Sequence, residues 1–294
     1  MTFDPYESKR ITPSSKKLYL HNLVKLNDNL PLKTLNFLGK TPSIMQKLDA
    51  VVSPNTRRTY LIAVCSALSN TEVPKLKRAY SIYFAKLDEL NRELKDNTKM
   101  KEKEAENWLS QQEVEDKHTE LGKVMGDLKG KKKPTPDQVE RLLKYLVLSL
   151  YVLLPPRRNK DYVLMKMEAP GDDAFNFYHD KKFFFNNYKT SHTYQQQAVA
   201  VPPELQAIIK VWERVRANKE SPFMLQRANG KEMKTSTDIT SLLQSIFDSK
   251  VSSSMLRKIY LTDKYSDVMK EMSKDVEAMA TSKETAQTNY IKTE

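Results

Sequence analysis

Two adjacent arginines follow the most apolar helical pattern in the chain. In LLPPRRNKDYVLMKM, residues 153–167, Arg157 and Arg158 come directly after that pattern, and helical spacing resumes at once. A guanidinium group is a planar fork of hydrogen-bond donors that matches the geometry of a phosphate, so an arginine held at the end of a buried helix can grip a phosphate firmly. The simpler interpretation is a cationic cap, because a helix C-terminus favours positive charge. This stretch alone leaves both interpretations open.

Three further polar residues stand out in order along the chain. Lys189 falls at or beside a turn in NNYKTSHTYQQQAVAVP, Arg257 lies on a helical pattern in SSSMLRKIYLT, and Tyr290 lies in MATSKETAQTNYIKTE. Taken singly, they have ordinary interpretations as a turn lysine, a surface arginine and a half-buried aromatic residue. Their order and surroundings therefore carry more information than any one of them.

The elements that must position these residues are predicted from apolar spacing and from helix-start signals. Ser53 is expected to cap a helix that begins at Pro54, Ser110 and Glu113 form a Ser-x-x-Glu capping box, and Thr135 begins an apolar helix that runs to Leu154. Helices are predicted at 13–27, 42–50, 54–68, 74–94, 203–216, 235–247, 252–262, 264–272 and 274–292. Aromatic and β-branched runs predict three strands of a small antiparallel sheet at 175–178, 183–188 and 194–201.

These elements predict a mainly α chain with a small antiparallel β-sheet, arranged in two domains. A helical domain is expected over residues 1–95. Residues 96–106 are almost free of apolar side chains and alternate in charge, as an exposed linker would. The larger domain is then expected over residues 107–294.

Composition limits the kind of partner. Forty-nine Lys and Arg against 37 Asp and Glu give a formal charge of +12 and a pI near 9.4, which suits a polyanion such as nucleic acid or an acidic membrane surface. A generically basic protein is the plainer interpretation. The longest apolar stretch, 146–156, is too short for the roughly 20 residues that span a bilayer, and the first residues do not resemble a secretory signal. We therefore expect an intracellular protein that does not enter a membrane.

Cysteine, histidine and glycine usage argues against cofactor sites. One cysteine excludes an intramolecular disulfide, and four scattered histidines give no zinc-ligand spacing. Six glycines form neither a Walker loop nor a GxGxxG loop. The sequence therefore predicts no metal and no cofactor.

The order of these residues along the chain, with the segments around them, resembles the tyrosine recombinase, or phage-type integrase, family over residues 107–294. Arg158 with Asp161 is similar to the family's first box, and Lys189 to its hairpin lysine. Arg257 matches the arginine of the His-x-x-Arg box, with Ser254 in place of the histidine.

The end of the chain extends the resemblance. MATSKETAQTNY aligns with the family's closing pattern over twelve residues, which gives Tyr290 as the nucleophile. The helical N-terminal part resembles the core-binding domain in architecture and in the helix SPNTRRTYLIAV. The segments PPRR and SMLRKIYL are most similar to those of integrases of virophages and of related eukaryotic DNA viruses and mobile elements.

The resemblance implies a helical core-binding domain joined to an α+β catalytic domain that cuts and rejoins DNA through a 3′-phosphotyrosyl intermediate. Arg158 and Arg257 would stabilise the phosphate, Lys189 would protonate the leaving 5′ oxygen, and Tyr290 would attack phosphorus. The expected partner is double-stranded DNA, bound by a dimer or tetramer, in the nucleus or at a viral replication site.

Six basic residues are candidates for contact with DNA outside this set. Arg57 and Arg58 lie on the first turns of the helix at 54–68, and Arg157 is an alternative to Arg158 as the phosphate clamp. Lys131, Lys132 and Lys133 lie in a loop, for which plain solvation is the alternative interpretation.

Two departures from the family's pattern bear on activity. Ser254 cannot serve as a cationic or basic partner, and Thr281 stands where the family has His or Trp. A DNA-binding protein with the recombinase fold and weakened or lost catalysis therefore stays open as an alternative function. An enzyme that relaxes DNA as type IB topoisomerases do is a second alternative.

Overall fold

The computed structural model describes residues 3–95, 100, 102–131, 133–169, 171 and 174–291. Contacts divide the chain into two compact units, Met1–Lys101 and Glu102–Glu294. Positions 96–99 and 101 of the predicted linker, together with Lys132, lie outside the described residues. Helices predominate and one small antiparallel sheet is present, which confirms the predicted fold class at that level.

The first unit is built from helices around one apolar core. Ser53 Oγ accepts a hydrogen bond from the Thr56 backbone N–H, which confirms the predicted cap. Two buried tyrosines tie distant segments together, since Tyr6 donates its hydroxyl hydrogen to the Ala63 carbonyl and Tyr83 to the Leu38 carbonyl, each at 2.7 Å. The elements are α1 (Pro13–Leu26), a 3₁₀ helix (Asn36–Gly39), α2 (Thr41–Asp49), α3 (Pro54–Leu68) and α4 (Pro74–Lys95).

The second unit surrounds a central helix that is buried along most of its length. The first helices are α5 (Glu102–Ala105), α6 (Gln111–Gly122), α7 (Val124–Asp127), α8 (Pro136–Val152) and α9 (Asn159–Tyr162). The capping box of Ser110 with Glu113 is present, and Thr135 caps α8 through a box with Gln138. Because every residue from Tyr145 to Tyr151 is buried, α8 is a rigid support for the arginine pair that follows it.

The sheet has the order β1-β2-β3 and is antiparallel throughout. Its strands are β1 (Phe177–His179), β2 (Lys182–Phe185) and β3 (Gln197–Ala200), shorter than predicted. The four-residue helix α10 (Ser191–Tyr194) lies between β2 and β3, so the predicted strand over 194–201 begins too early. Phe183 and Phe185 are fully buried and both pack edge-on against Tyr162, which joins the sheet to α9.

The last part of the chain differs from the sequence prediction. The elements are α11 (Pro203–Val215), α12 (Ser236–Phe247), α13 (Ser253–Ala278), α14 (Lys283–Thr285) and a π-helical turn (Ala286–Tyr290). The predicted helices 252–262 and 264–272 are one helix, because no glycine or proline interrupts them. The predicted helix 274–292 is wrong, since the chain turns after α13 through Ala280 at φ 52°. Within the described ranges, no helix is long and apolar enough to cross a bilayer.

Candidate active site

Arg157 is committed to partners inside the protein. Its Nε donates to Asp161 Oδ2 at 3.0 Å and one terminal nitrogen donates to Gln197 Oε1 at 2.9 Å. The guanidinium carbon lies 3.8 Å from the ring centroid of Phe185, a cation–π distance. The structure therefore gives Arg157 a role in joining α9 to the sheet, where the sequence suggested contact with DNA or the phosphate clamp.

Arg158 is held differently from its neighbour. Its backbone is extended, with φ −76° and ψ 149°, at the N-cap position of α9. The side chain is half-buried, and within the described part of the chain it makes no hydrogen bond and no ion pair. The guanidinium fork is therefore available to an external anion while its backbone is fixed.

Asp161 supplies the electrostatic setting for both arginines. It is only 2% exposed, and burial raises the pKa of its carboxyl, while Arg157 and then Arg158 oppose that shift. Its Oδ1 is buried with no hydrogen-bond partner in the part of the chain that is described. One carboxylate thus partly balances two guanidinium groups, and the local charge stays positive.

Asn159 fixes the start of α9 against two other helices. Its Oδ1 accepts from the Tyr151 hydroxyl at 2.6 Å, which connects it to α8. Its Nδ2 donates to the Ser236 carbonyl at 3.0 Å and to Thr240 Oγ1 at 2.9 Å, both on α12. Because Arg158 is the preceding residue, these bonds limit the movement of its backbone.

Asn176 joins the Arg158 segment to the Lys189 loop, which we define as residues 186–196. Its Nδ2 donates to the Asp161 carbonyl at 2.8 Å and to the Asn187 carbonyl at 3.1 Å. Its Oδ1 accepts from the backbone N–H groups of Asn186 and Asn187, both at 2.8 Å. One buried amide therefore holds two chain segments in a fixed relation.

Lys189 lies in that loop between β2 and α10. It is exposed, and its side chain has no hydrogen bond or ion pair within the described residues. The base of the loop is closed by the Tyr188 hydroxyl, which donates to the Gln195 carbonyl at 2.7 Å. An amine free of partners is thus carried on a loop with a rigid base.

Arg257 and Ser254 lie at the beginning of α13. Ser252 Oγ accepts from the Met255 backbone N–H and caps the helix, while Leu256 and Ile259 are buried in the unit's core. Arg257 is half-buried and its side chain has no partner within the described chain; Ser254 is exposed. The start of α13 is therefore a firm base for a second free guanidinium group.

Tyr290 lies at the end of the π-helical turn and is 59% exposed. Such turns are rare and often occur at functional sites. The turn is held to the end of α13, where Val276 and Ala286 are buried and the Thr281 backbone N–H donates to the Val276 carbonyl at 2.9 Å. Neither Val276 nor Ala286 belongs to the unit's large core, so this region packs locally.

The structure brings the four predicted catalytic residues together only in part. Asn176 links the segments that carry Arg158 and Lys189, and Arg257 lies on a helix that packs against α8. No hydrogen bond or ion pair of the described residues joins Tyr290 to the other three.

Ser254 and Thr281, at the two positions where tyrosine recombinases have a basic or cationic residue, are both neutral. Thr281 is half-buried, and its hydroxyl has no hydrogen bond in the described chain. His118 is not available as a base, because it is buried, its Nε2 lies 2.8 Å from Ser149 Oγ, and burial lowers its pKa.

The remaining DNA-contact candidates fall into two groups. Arg57 donates to the Asp49 and Val51 carbonyls at 3.2 and 3.0 Å, so it caps the end of α2 and is engaged. Arg58 is exposed and donates from Nε to Asn91 Oδ1, and Lys131 and Lys133 are exposed. Only the second group offers charge to a polyanion without loss of an anchoring contact.

Sequence reasoning missed Asn159 and Asn176. Asn159 lies between Arg158 and Asp161, and Asn176 lies within the predicted strand 175–178, but apolar spacing gives no signal that a single asparagine in such a segment is buried. No family model matches this chain, and no curated protein matches it. The resemblance to tyrosine recombinases therefore depends on the residues quoted above. Within the described ranges, no three His, Cys, Asp or Glu side chains are grouped as metal ligands.

Proposed function

We propose that this protein is a DNA strand transferase of the tyrosine recombinase type, a site-specific recombinase or integrase. The observation that carries the proposal is that Asn176 joins the chain segment of Arg158 to that of Lys189, whose guanidinium group and amine have no partner among the described residues. Arg157 beside them is fully engaged, whereas the side chains of Arg158 and Lys189 make no hydrogen bond or ion pair within the described residues. The net charge of +12 supports DNA as the polyanion.

The reaction that these residues support is a transesterification. The Tyr290 oxygen attacks phosphorus, the bond from phosphorus to the 5′ oxygen breaks, and the tyrosine proton passes to solvent. Lys189 gives a proton to the departing 5′ oxygen, while Arg158 and Arg257 stabilise the charge on the non-bridging oxygens. A 5′ hydroxyl from another strand then attacks the phosphotyrosine and restores the enzyme.

Tyr290 must approach the phosphate for this chemistry. Reacting atoms need a separation of roughly 3–3.5 Å in a productive geometry. The exposure of Tyr290 and the local packing of its turn against α13 suit a nucleophile that is delivered to DNA after binding.

The second candidate is a DNA-binding protein that has weakened or lost the chemistry. The observation that favours it is the neutrality of Ser254 and Thr281, together with the lack, among the described residues, of a hydrogen bond or ion pair between Tyr290 and Arg158, Lys189 or Arg257. Relaxation of supercoiled DNA, as by type IB topoisomerases, is a variant of the enzymatic function that uses the same four residues.

A second copy of the chain is the protein partner that α13 fits. Leu261, Tyr265, Val268 and Met272 recur at spacings of four, three and four, as along a coiled-coil seam, and the first three are 52%, 44% and 60% exposed. Residues 261–279 carry three lysines and five acidic residues, so this surface does not suit DNA. A mixed-charge seam matches a copy of itself, which supports a dimer or tetramer on DNA.

The test is covalent capture of nicked suicide duplexes, in which the released 5′ fragment cannot return, followed by denaturing electrophoresis. The parent and Tyr80→Phe, a half-buried tyrosine of the first unit, are expected to form an adduct, and Tyr290→Phe to form none while duplex binding stays within a few-fold. An adduct with Tyr290→Phe would refute the assignment. Duplex binding by the parent without adduct favours the second candidate, and relaxation of supercoiled plasmid separates the topoisomerase-like variant.

A further inference from the structure

The backbone of Gln195 is strained. Its φ is 52° and its ψ is −156°, a region where a Cβ atom clashes and which glycine occupies almost alone. The residue ends α10, and both of its backbone polar groups are bonded, N–H to the Ser191 carbonyl and carbonyl to the Tyr188 hydroxyl, each at 2.7 Å. A glycine would serve this turn with less strain, so the glutamine side chain needs a reason of its own.

That reason is not an intramolecular contact. Gln195 is exposed, and within the described residues its side-chain amide has no hydrogen-bond partner. No side-chain contact of Gln195 with another described residue therefore offsets the strain, and the amide is exposed to the solvent.

Other polar side chains lie beside Gln195 at the protein surface. Asn186, Ser191, His192, Gln195 and Gln196 line an open cavity of about 480 Å³. Gln196 Nε2 donates to Asn186 Oδ1 at 2.6 Å, which orients the Gln196 amide and leaves its oxygen free. The cavity thus presents amide donors and acceptors in a partly fixed arrangement.

The composition of the surrounding segment selects the kind of ligand. Tyr194 is 63% exposed, and residues 181–203 contain three lysines and no acidic residue. Lysines suit phosphate, whereas an exposed aromatic ring and amides suit nucleobases, because the paired donor and acceptor of glutamine match the edge of adenine. An acidic peptide would use the lysines but would leave the amide pairs and the ring without a role.

We infer that Gln195, with Gln196 and Tyr194 beside it, reads the edges of nucleobases in duplex DNA next to the phosphate that Lys189 contacts. The inference rests on the proposed function, because DNA is the partner. Gln195 is then a specificity-determining residue, and backbone strain is tolerated so that a side chain with an amide leaves the chain at this turn.

The experiment compares the parent full-length chain with Gln195→Gly, which removes both the side chain and the strain, and Gln195→Ala, which removes the side chain alone. Gln112→Ala, on the exposed surface of α6, is the matched control for loss of an amide. Preferred duplexes are selected from a randomised pool, and the affinities for the selected and scrambled duplexes are measured. Thermal unfolding is followed by tryptophan fluorescence, which reports the second unit, since Trp108 and Trp212 are the chain's two tryptophans.

Both Gln195 variants are expected to lose roughly 5- to 150-fold of the preference for one selected base, the effect of one bidentate contact, while affinity for scrambled duplex stays within about two-fold. Gln195→Gly should also raise Tm by about 2–4 °C over Gln195→Ala. Unchanged base preference in both variants overturns the inference, as does a Tm for Gln195→Gly no higher than that for Gln195→Ala. If the parent binds duplex without base preference, the inference about Gln195 is overturned and the proposed function is not. If the parent binds no duplex, both are overturned.

Discussion

Asn176 donates a hydrogen bond of 2.8 Å from Nδ2 to the backbone carbonyl of Asp161. The two residues are 15 positions apart, and the bond connects the turn of α9 to the strand region that leads to the Lys189 loop. Because Asn176 is 4% exposed and also binds the backbone of Asn186 and Asn187, it holds together the two chain segments that carry Arg158 and Lys189.

Replacement of Asn176 by alanine should therefore lower both stability and activity. It leaves buried backbone groups without partners, which costs about 2–4 kcal/mol in the free energy of unfolding. Asn187→Ala is the control, since that exposed side chain makes one hydrogen bond, to the Ala174 carbonyl. Urea unfolding followed by tryptophan fluorescence measures the stability of both variants, and covalent capture measures their activity. If Asn176→Ala loses no more free energy of unfolding than Asn187→Ala, Asn176 has no positioning role.

Replacement of Arg157 should lower stability, whereas replacement of Arg158 should lower catalysis. Arg157→Ala leaves Asp161 buried without its ion-pair partner, so we expect a loss of about 2–3 kcal/mol in the free energy of unfolding. Arg158→Ala should leave stability within about 0.5 kcal/mol, because its side chain makes no hydrogen bond or ion pair with the described residues, and should slow covalent capture by on the order of 10²-fold or more. Single-turnover capture and urea unfolding of both variants decide the matter. The opposite pattern would make Arg157 the phosphate clamp.

Thr281 should limit the rate near neutral pH. With neutral side chains at Ser254 and Thr281, hydroxide must replace a protein base, so capture by the parent should rise as pH increases from 6 to 9.5. Thr281→His should speed capture at neutral pH by roughly 10²-fold, the low end of general acid–base effects. Thr285→His, on the short helix that follows, is the control. A parent rate that does not depend on pH, with no gain from Thr281→His, would show that another residue activates the nucleophile.

His118 should make the second unit less stable in mild acid. Burial lowers its pKa below 6.5 in the folded state, so the folded protein holds the ring neutral while the unfolded chain takes up a proton. The stability is therefore full above pH 6.5 and is lost as pH falls below it, by at most about 1.4 kcal/mol per pH unit. His118→Gln should flatten this slope between pH 7 and 5, whereas His179→Gln, an exposed control, should not. An identical slope in His118→Gln would exclude the linkage.

The seam on α13 should govern self-association. Val268→Asp introduces a charge at its middle, so dimers should weaken by on the order of 10²-fold in dissociation constant. Ser266→Asp, on the same helix outside the seam, adds the same charge and is the control. Sedimentation velocity with and without duplex measures the change. Association that survives Val268→Asp would place the interface between copies elsewhere.

The sequence alone determined the elements whose signals are local. Apolar spacing and cap residues predicted α3, α6 and α8, because each helix start is defined by hydrogen bonds within three residues, as at Ser53 and Ser110. The mainly helical fold class with a small sheet also followed from the spacing of apolar residues alone. The prediction failed at 274–292, where polar residues allow either a continuous helix or a turn and only the tertiary burial of Val276 and Ala286 decides.

Tertiary structure decided which polar residues are free and which are engaged. In the sequence Arg157 and Arg158 are equivalent, and they differ only because residues 28 and 40 positions further on, Phe185 and Gln197, meet Arg157. The importance of Asn176 has the same origin, since its partners lie 10 to 15 residues away on either side. Apolar periodicity records which face of an element is buried. It carries no record of which side chains from distant segments will share a hydrogen bond, and in this protein those bonds separate anchoring groups from groups left for a ligand.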